Sequence, residues 1–157
     1  MAVREYRAHA GSVTLPIEDR LCFSLYAASR AVTALYRPML DELDLTYPQY
    51  LVMVALWDGG PAQVKDLGEA LSLDSGTLSP LLKRLEKAGL VRRERRAEDE
   101  RTVWITLTGD GAALKDRTEP LVPDTVDQAM GLDAAQARVL RETLRGLTTS
   151  VTEFRRA

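Results

Sequence analysis

Two sets of residues in this chain have the types and spacing to do chemistry. Between Lys83 and Arg96 lie seven cations (Lys83, Arg84, Lys87, Arg92, Arg93, Arg95, Arg96) against two anions (Glu86, Glu94). That is +5 in a chain of net charge −2, so the remainder carries −7. Charge runs usually form a solvated helix face; on an acidic body a basic run also reads as a phosphate-binding footprint. Just before it stand Ser75, Gly76, Thr77 and Ser79, small residues that let a helix approach base edges while later cations reach phosphates. The second feature is the lone cysteine, Cys22. Thiolates attack peroxides, but a free cysteine is more often a small, buried and inert hydrophobe. Its type alone leaves both readings open.

Other chemistries are excluded by what is missing. One histidine, His9, and one cysteine cannot assemble a thiolate or imidazole zinc site, and no metal or cofactor is expected. A single cysteine also rules out an internal disulfide framework and suits a reducing, cytoplasmic compartment. The sequence contains no phosphate-binding or dinucleotide glycine motif and no nucleophile elbow. No apolar run approaches the ~18 residues of a membrane span, and the N-terminus (MAVREYRAHAG) lacks the apolar region of a signal peptide. At 157 residues, 45% hydrophobic and 28% charged, the chain has the composition of one globular domain.

These residues must be positioned by elements the pattern also suggests. Residues 1–15 show no periodicity and are expected to form a mobile arm, with one domain over 16–157. Pro16 opens a helical pattern with Glu18 and Asp19 in its first turn. Leu21, Leu25, Ala28, Val32, Leu35 and Met39 form a narrow coiled-coil-like seam, and Pro38 should kink or break this helix. Thr46 and Gln49 form a capping box for an almost wholly apolar helix (YPQYLVMVALW) stopped by Gly59-Gly60-Pro61. Two short helices follow, Val64–Leu71 and about Ser75–Ala88, joined by Ser72-Leu73-Asp74: a helix-turn-helix signal.

In the second of these helices Leu78, Leu81, Leu82, Leu85 and Ala88 form the inward stripe. Ser75, Gly76, Thr77, Ser79, Lys83, Arg84 and Lys87 are left outside. Pro80 predicts a late helix start or a slight kink. Gly89 terminates the helix. Leu90-Val91 starts a strand and Thr102–Leu107 forms another, flanking a charged hairpin whose Arg93, Arg95, Arg96 and Arg101 are placed to reach a groove or backbone. Thr108 caps a helix broken by Pro120 and Pro123. Asp133 and Gln136 box the last one, whose Leu140, Leu144, Leu147, Val151 and Phe154 make a second seam.

The fold class that follows is mainly α with a small β-wing. It is a winged helix-turn-helix over 62–107 with dimerisation helices at 16–58 and 109–157. Two narrow seams cannot bury themselves in one small domain, so a homodimer is expected. Two-fold symmetry then predicts palindromic double-stranded operator DNA with half-sites about one turn apart.

The segment from Leu67 to Leu107 resembles the MarR family, whose wing motif D-x-R-[ST] stands here as Asp99-Glu100-Arg101-Thr102. The resemblance implies that Asp99 and Arg101 shape the wing and that Arg101 reaches the minor groove. The N-terminal half, with Leu21-Cys22-Phe23-Ser24-Leu25-Tyr26, Tyr36-Arg37-Pro38 and Leu45 to Met53, is similar to the organic hydroperoxide sensing branch (the OhrR type). There the early cysteine is the peroxide sensor, and two tyrosines matching Tyr36 and Tyr47 hydrogen-bond it across the dimer interface. Tyr26 also matches a tyrosine near the sensor.

The implied protein is a redox-responsive repressor, not an enzyme, released from DNA when an organic hydroperoxide oxidises Cys22. The branch often carries a second, resolving cysteine that this chain lacks. Capping by a low-molecular-weight thiol, or over-oxidation, is therefore expected. Two rivals are a MarR-type repressor responding to a small aromatic ligand, with Cys22 incidental, and a thiol peroxidase. The helical seams do not fit the peroxidase.

Overall fold

The structure, a computed structural model, describes residues 15–96, 99–121 and 129–156. The expected arm, Leu15 excepted, and the break expected at Pro123 lie outside the described residues. The chain divides into two units, Met1–Ala34 and Leu35–Ala157.

In the first unit Pro16 caps a 3-10 turn, Ile17–Asp19. Arg20 is extended (φ −85°, ψ 121°), and its Nε donates to the Leu15 carbonyl at 3.1 Å. The extended residue delays the α-helix, so α1 (Leu21–Leu35) has no acidic residue in its first turn. Glu18 and Asp19 belong to the preceding 3-10 turn instead, contrary to the sequence expectation. None of α1's residues is buried within one chain, and Leu21 is 58% exposed.

The second unit begins with α2 (Arg37–Glu42). The helical run breaks beside Pro38, as expected: α1 stops at Leu35, and Pro38 occupies the first turn of α2, where a missing N–H leaves no gap. The seam is correspondingly shorter than expected, because Met39 is in α2 and 3% exposed in the core. Helix α3 (Tyr47–Gly59) opens with the expected box: Gln49 Oε1 accepts from the Thr46 N–H and hydroxyl, both at 2.8 Å. Val52, Met53 and Leu56 on α3 are essentially inaccessible.

Next come β1 (Ala62–Gln63), α4 (Val64–Leu71) and α5 (Ser75–Lys87). Leu78, Leu82 and Leu85 of α5 join the α3 residues in one core cluster. Strands β2 (Val91–Arg96) and β3 (Asp99–Leu107) are antiparallel, and β3 is central in the order β1-β3-β2. The sequence pattern missed β1, which pairs Ala62 with Ile105 and Gln63 with Trp104; two residues carry too little alternation to register. Helix α6 (Gly109–Thr118) ends in a 3-10 turn, Glu119–Leu121, that contains Pro120. Helix α7 (Ala134–Arg156) starts at the expected Asp133/Gln136 box, with reciprocal bonds of 3.0 and 2.8 Å. Its Leu140, Leu144, Val151 and Phe154 stay exposed. Among the described residues no helix is long and apolar enough to cross a membrane.

A tight joint links the end of α5 to the start of α6. Gly89 takes φ 74°, and the Leu90 and Gly89 N–H groups return to the Leu85 and Glu86 carbonyls at 3.0 and 2.9 Å, closing a Schellman motif. Thr108 Oγ1 accepts from the Gly111 N–H at 3.0 Å and donates to the Gly89 carbonyl at 2.5 Å. Gly111 lies so close to Leu90 that a Cβ there would stand 1.9 Å from the Leu90 oxygen. In a free helix alanine would gain about 1 kcal/mol over glycine; here overpacking against backbone costs about 3 kcal/mol and wins. Gly111→Ala should therefore lower the denaturant midpoint at an unchanged slope, and a stabilised variant would contradict the contact.

Candidate nucleic-acid interface and thiol

Asp74 builds the front of the interface. It is the N-cap of α5, and its Oδ1 accepts from the Thr77 N–H at 2.8 Å. That bond, with a second from the Thr77 side chain, holds its carboxyl below the usual carboxylate range. Sequence reasoning left Asp74 in the turn; the signal was an aspartate immediately before a run with apolar residues on one face. Because this cap anchors the helix at Ser75, α5 does not start late, and Pro80 lies inside it. The proline cannot bond the carbonyl of Gly76 four residues earlier, and the leucine face carries the helix across that gap.

Ser75, Gly76, Thr77, Lys83 and Arg84 are exposed, as the outward face requires. Two residues depart from the pattern. Ser79 is half-buried rather than free on the outer face, and Ala88 is exposed rather than part of the inward stripe. Ala88 is the C-cap, where the chain is already turning away from the core.

The wing strands are longer than expected and run through the charged segment. Arg92 to Arg95 pair with Thr106 to Val103, and a bulge separates Arg95 from Arg96, which pairs with Asp99. Arg93 and Arg95 share one face of β2 by the two-residue period. Arg95 is exposed and Arg93 half-buried. The Arg93 N–H donates to Glu86 Oε1 at 3.3 Å, tying the wing to the back of α5. Arg93 also lines a concavity of about 300 Å³ with Gln63, Val64, Lys65, Thr102 and Val103. Lys65, 79% exposed at its side chain, adds a cation to this cleft that no sequence pattern singled out; it comes close only through the β1–β3 pairing. The side chains of Arg96, Asp99 and Arg101 lie outside the described residues.

The thiol lies in the first unit. Because α1 starts at Leu21, Cys22 is its second residue, nearer the helix start than the sequence suggested, and it is exposed. Tyr26, one turn on, is engaged within the same helix: its hydroxyl accepts from Arg30 Nη1 at 3.1 Å, and the guanidinium sits 5.7 Å from the ring centroid. In the second unit Tyr36 and Tyr47 are brought together with centroids 5.1 Å apart. Tyr50, which sequence reasoning did not single out, packs 5.8 Å from Tyr36 and 6.3 Å from Tyr47. Burial first, and neighbouring phenols second, push the Tyr47 and Tyr50 hydroxyls above their ordinary pKa. Both therefore stay protonated at neutral pH, as hydrogen-bond donors. Among the described residues no group of histidine, cysteine, aspartate or glutamate is arranged to hold a metal.

Comparison with known proteins extends this description. Residues 34–118 match the family described as transcriptional regulator SarA/Rot. The chain is 47% identical over 135 residues to the organic hydroperoxide resistance transcriptional regulator of Bacillus subtilis, an alignment covering 86% of this chain and 89% of that protein. Among solved structures it is similar to reduced AbfR bound to DNA (33% identity, TM-score 0.74, covering 86% and 96% of the two chains). AbfR, from Staphylococcus epidermidis, has also been solved in overoxidized and disulfide forms. NadR in complex with 4-hydroxyphenylacetate is similar at 27% identity and TM-score 0.70, covering 87% and 97%.

The Asp74 cap has a pH signature. A carboxyl with a lowered folded-state pKa contributes stability above its unfolded pKa and loses it as the pH falls through the folded value. Asp74→Ala should melt below wild type at neutral pH, the gap closing once the pH drops beneath the usual carboxylate range. A gap independent of pH in thermal melts would remove Asp74 from this role.

Proposed function

The chain belongs to the SarA/Rot family of MarR-like winged-helix transcriptional regulators, and we propose that it is a redox-responsive repressor that binds palindromic operator DNA as a homodimer and leaves it when organic hydroperoxide oxidises Cys22. The observation that carries this reading is the chain's lone thiol standing exposed at the start of α1. Identity to the Bacillus subtilis regulator, whose name specifies organic hydroperoxide resistance, supports the choice of oxidant. Members of this family are regulators and not enzymes, so one oxidation of Cys22 acts as a signal and not as a turnover.

The step balances without a cofactor. The Cys22 thiolate attacks the terminal peroxide oxygen, the O–O bond breaks, and the alkoxide leaves and takes up the proton the thiol had released. The products are a sulfenic acid and an alcohol. A low-molecular-weight thiol then displaces water from the sulfenic acid, forming a mixed disulfide. Tyr36 and Tyr47 are the phenols proposed to bond the reduced sulfur across the dimer, where a larger oxidised sulfur displaces them. The seams left bare on α1 and α7 are the surfaces two chains would bury against each other.

On DNA, Ser75, Gly76 and Thr77 meet base edges at the front of α5, with Ser79 half-buried behind them. Lys83, Arg84, Arg93 and Arg95 meet phosphates, and Arg96, Asp99 and Arg101 form the wing's contacts. The compartment proposed is the cytoplasm.

Two measurements check this reading. Cumene hydroperoxide with a small thiol should release wild type from its own upstream DNA and leave Cys22→Ser bound. Equal behaviour of the two proteins would leave instead a regulator answering a small aromatic ligand, a reading kept in view by the NadR complex. Arg95→Ala should weaken binding to all sequences alike and reduce the slope of log affinity against log salt by about two, one for each protomer of the dimer; an unchanged slope would take Arg95 off the phosphate backbone.

A further inference from the structure

The tyrosine triangle does not end at Tyr50. Tyr50 meets Trp57 edge-on, with centroids 6.2 Å apart and planes at 65°. Trp57 Nε1–H in turn donates to the Gly111 carbonyl at 2.9 Å, across 54 residues of sequence. Gly111 is the residue whose missing Cβ lets it lie against the Leu90 carbonyl. Its N–H is held by Thr108, which also bonds Gly89, and the Thr108 N–H donates to Leu90 at 3.1 Å. Gly89 and Leu90 are the exit of α5 and the entry to the wing. An unbroken line of ring contacts and hydrogen bonds therefore runs from Tyr36 and Tyr47 to the junction between reading helix and wing.

The indole link in this line is directional. An indole has one donor and no acceptor, so a ring displaced by Tyr50 either keeps the Gly111 bond or loses it. Gly111 has no freedom to follow on its own, since it is packed directly against the Leu90 backbone. A backbone contact this tight passes a displacement on to its neighbour, and coupling between sites travels through contiguous packed and hydrogen-bonded networks of this kind.

We propose that Trp57 is a positioning residue that couples the Tyr36–Tyr47–Tyr50 cluster to the α5–wing junction through its bond to Gly111. Its input rests on the redox reading above; its mechanical part does not.

The test uses the full-length ¹⁵N-labelled protein. Its two indole signals, from Trp57 and Trp104, are assigned with either Trp→Phe variant. Binding of the upstream DNA is expected to shift the Trp57 indole signal, and Tyr50→Leu to shift it in the free protein. Trp57→Phe, which keeps a ring beside Tyr50 but removes the donor, is expected to bind DNA when reduced within about threefold of wild type. Its peroxide-driven loss of affinity should be at least about fivefold smaller.

Equal loss of affinity in both redox states would make Trp57 a merely structural residue and overturn the proposal. A Trp57 signal unmoved by bound DNA would overturn it as well, and that readout needs only wild type and one assigning variant. If wild type ignores peroxide altogether, the redox reading fails, and the response of the indole to DNA still decides the coupling.

Discussion

The burial of Leu78, Leu82 and Leu85 in one cluster with Val52, Met53 and Leu56 orders the rest of this molecule. Helix α5 is a poor helix by its own propensities, with Gly76 and Pro80 inside it. Together they cost about 4 kcal/mol relative to alanine. Three fully buried leucines offset this with roughly 6 kcal/mol. The helix therefore exists because one face is paid for by the core, and the opposite face is free to carry glycine, hydroxyls and cations. A sequence with better intrinsic helix formers on the outer face would gain local stability and lose the close approach that small residues permit.

The same face-by-face logic runs through the wing. Ile105 is fully buried at the centre of the sheet, and Val91 is buried at the foot of β2. That anchors a hairpin whose far end is charged and irregular, with the bulge between Arg95 and Arg96 turning the strand where apolar pairing ends. The Glu86–Arg93 bond and the Thr108 joint then fasten wing to helix at both ends of the hairpin's base.

Much of this organisation was legible in the residues. Capping boxes at Thr46 and Asp133, the turn at Ser72-Leu73-Asp74 and the terminator at Gly89 are local signals. Each depends on backbone donors and acceptors within four or five residues, and each appears where the spacing placed it. The failures are equally physical. Arg20 breaks the first helix through an extended backbone held by its contact to Leu15, which no periodicity encodes. Met39 fits the α1 seam by spacing, but Pro38 ends that helix's run and sends Met39 into the core. Ser79 and Ala88 fit their assigned faces by angle alone, and angle does not know where neighbouring elements stop.

The sequence by itself determined the alternation of buried and bare faces, the caps and turns that bound them, and the lone thiol. All of these follow from residue type at short range. Only the tertiary structure decided that β1 pairs with β3, that Lys65 shares a cleft with Arg93, and that Trp57 reaches Gly111. Those contacts join residues far apart in the chain. Their free energy comes from shape and donor geometry after the core has closed, so no local pattern can announce them.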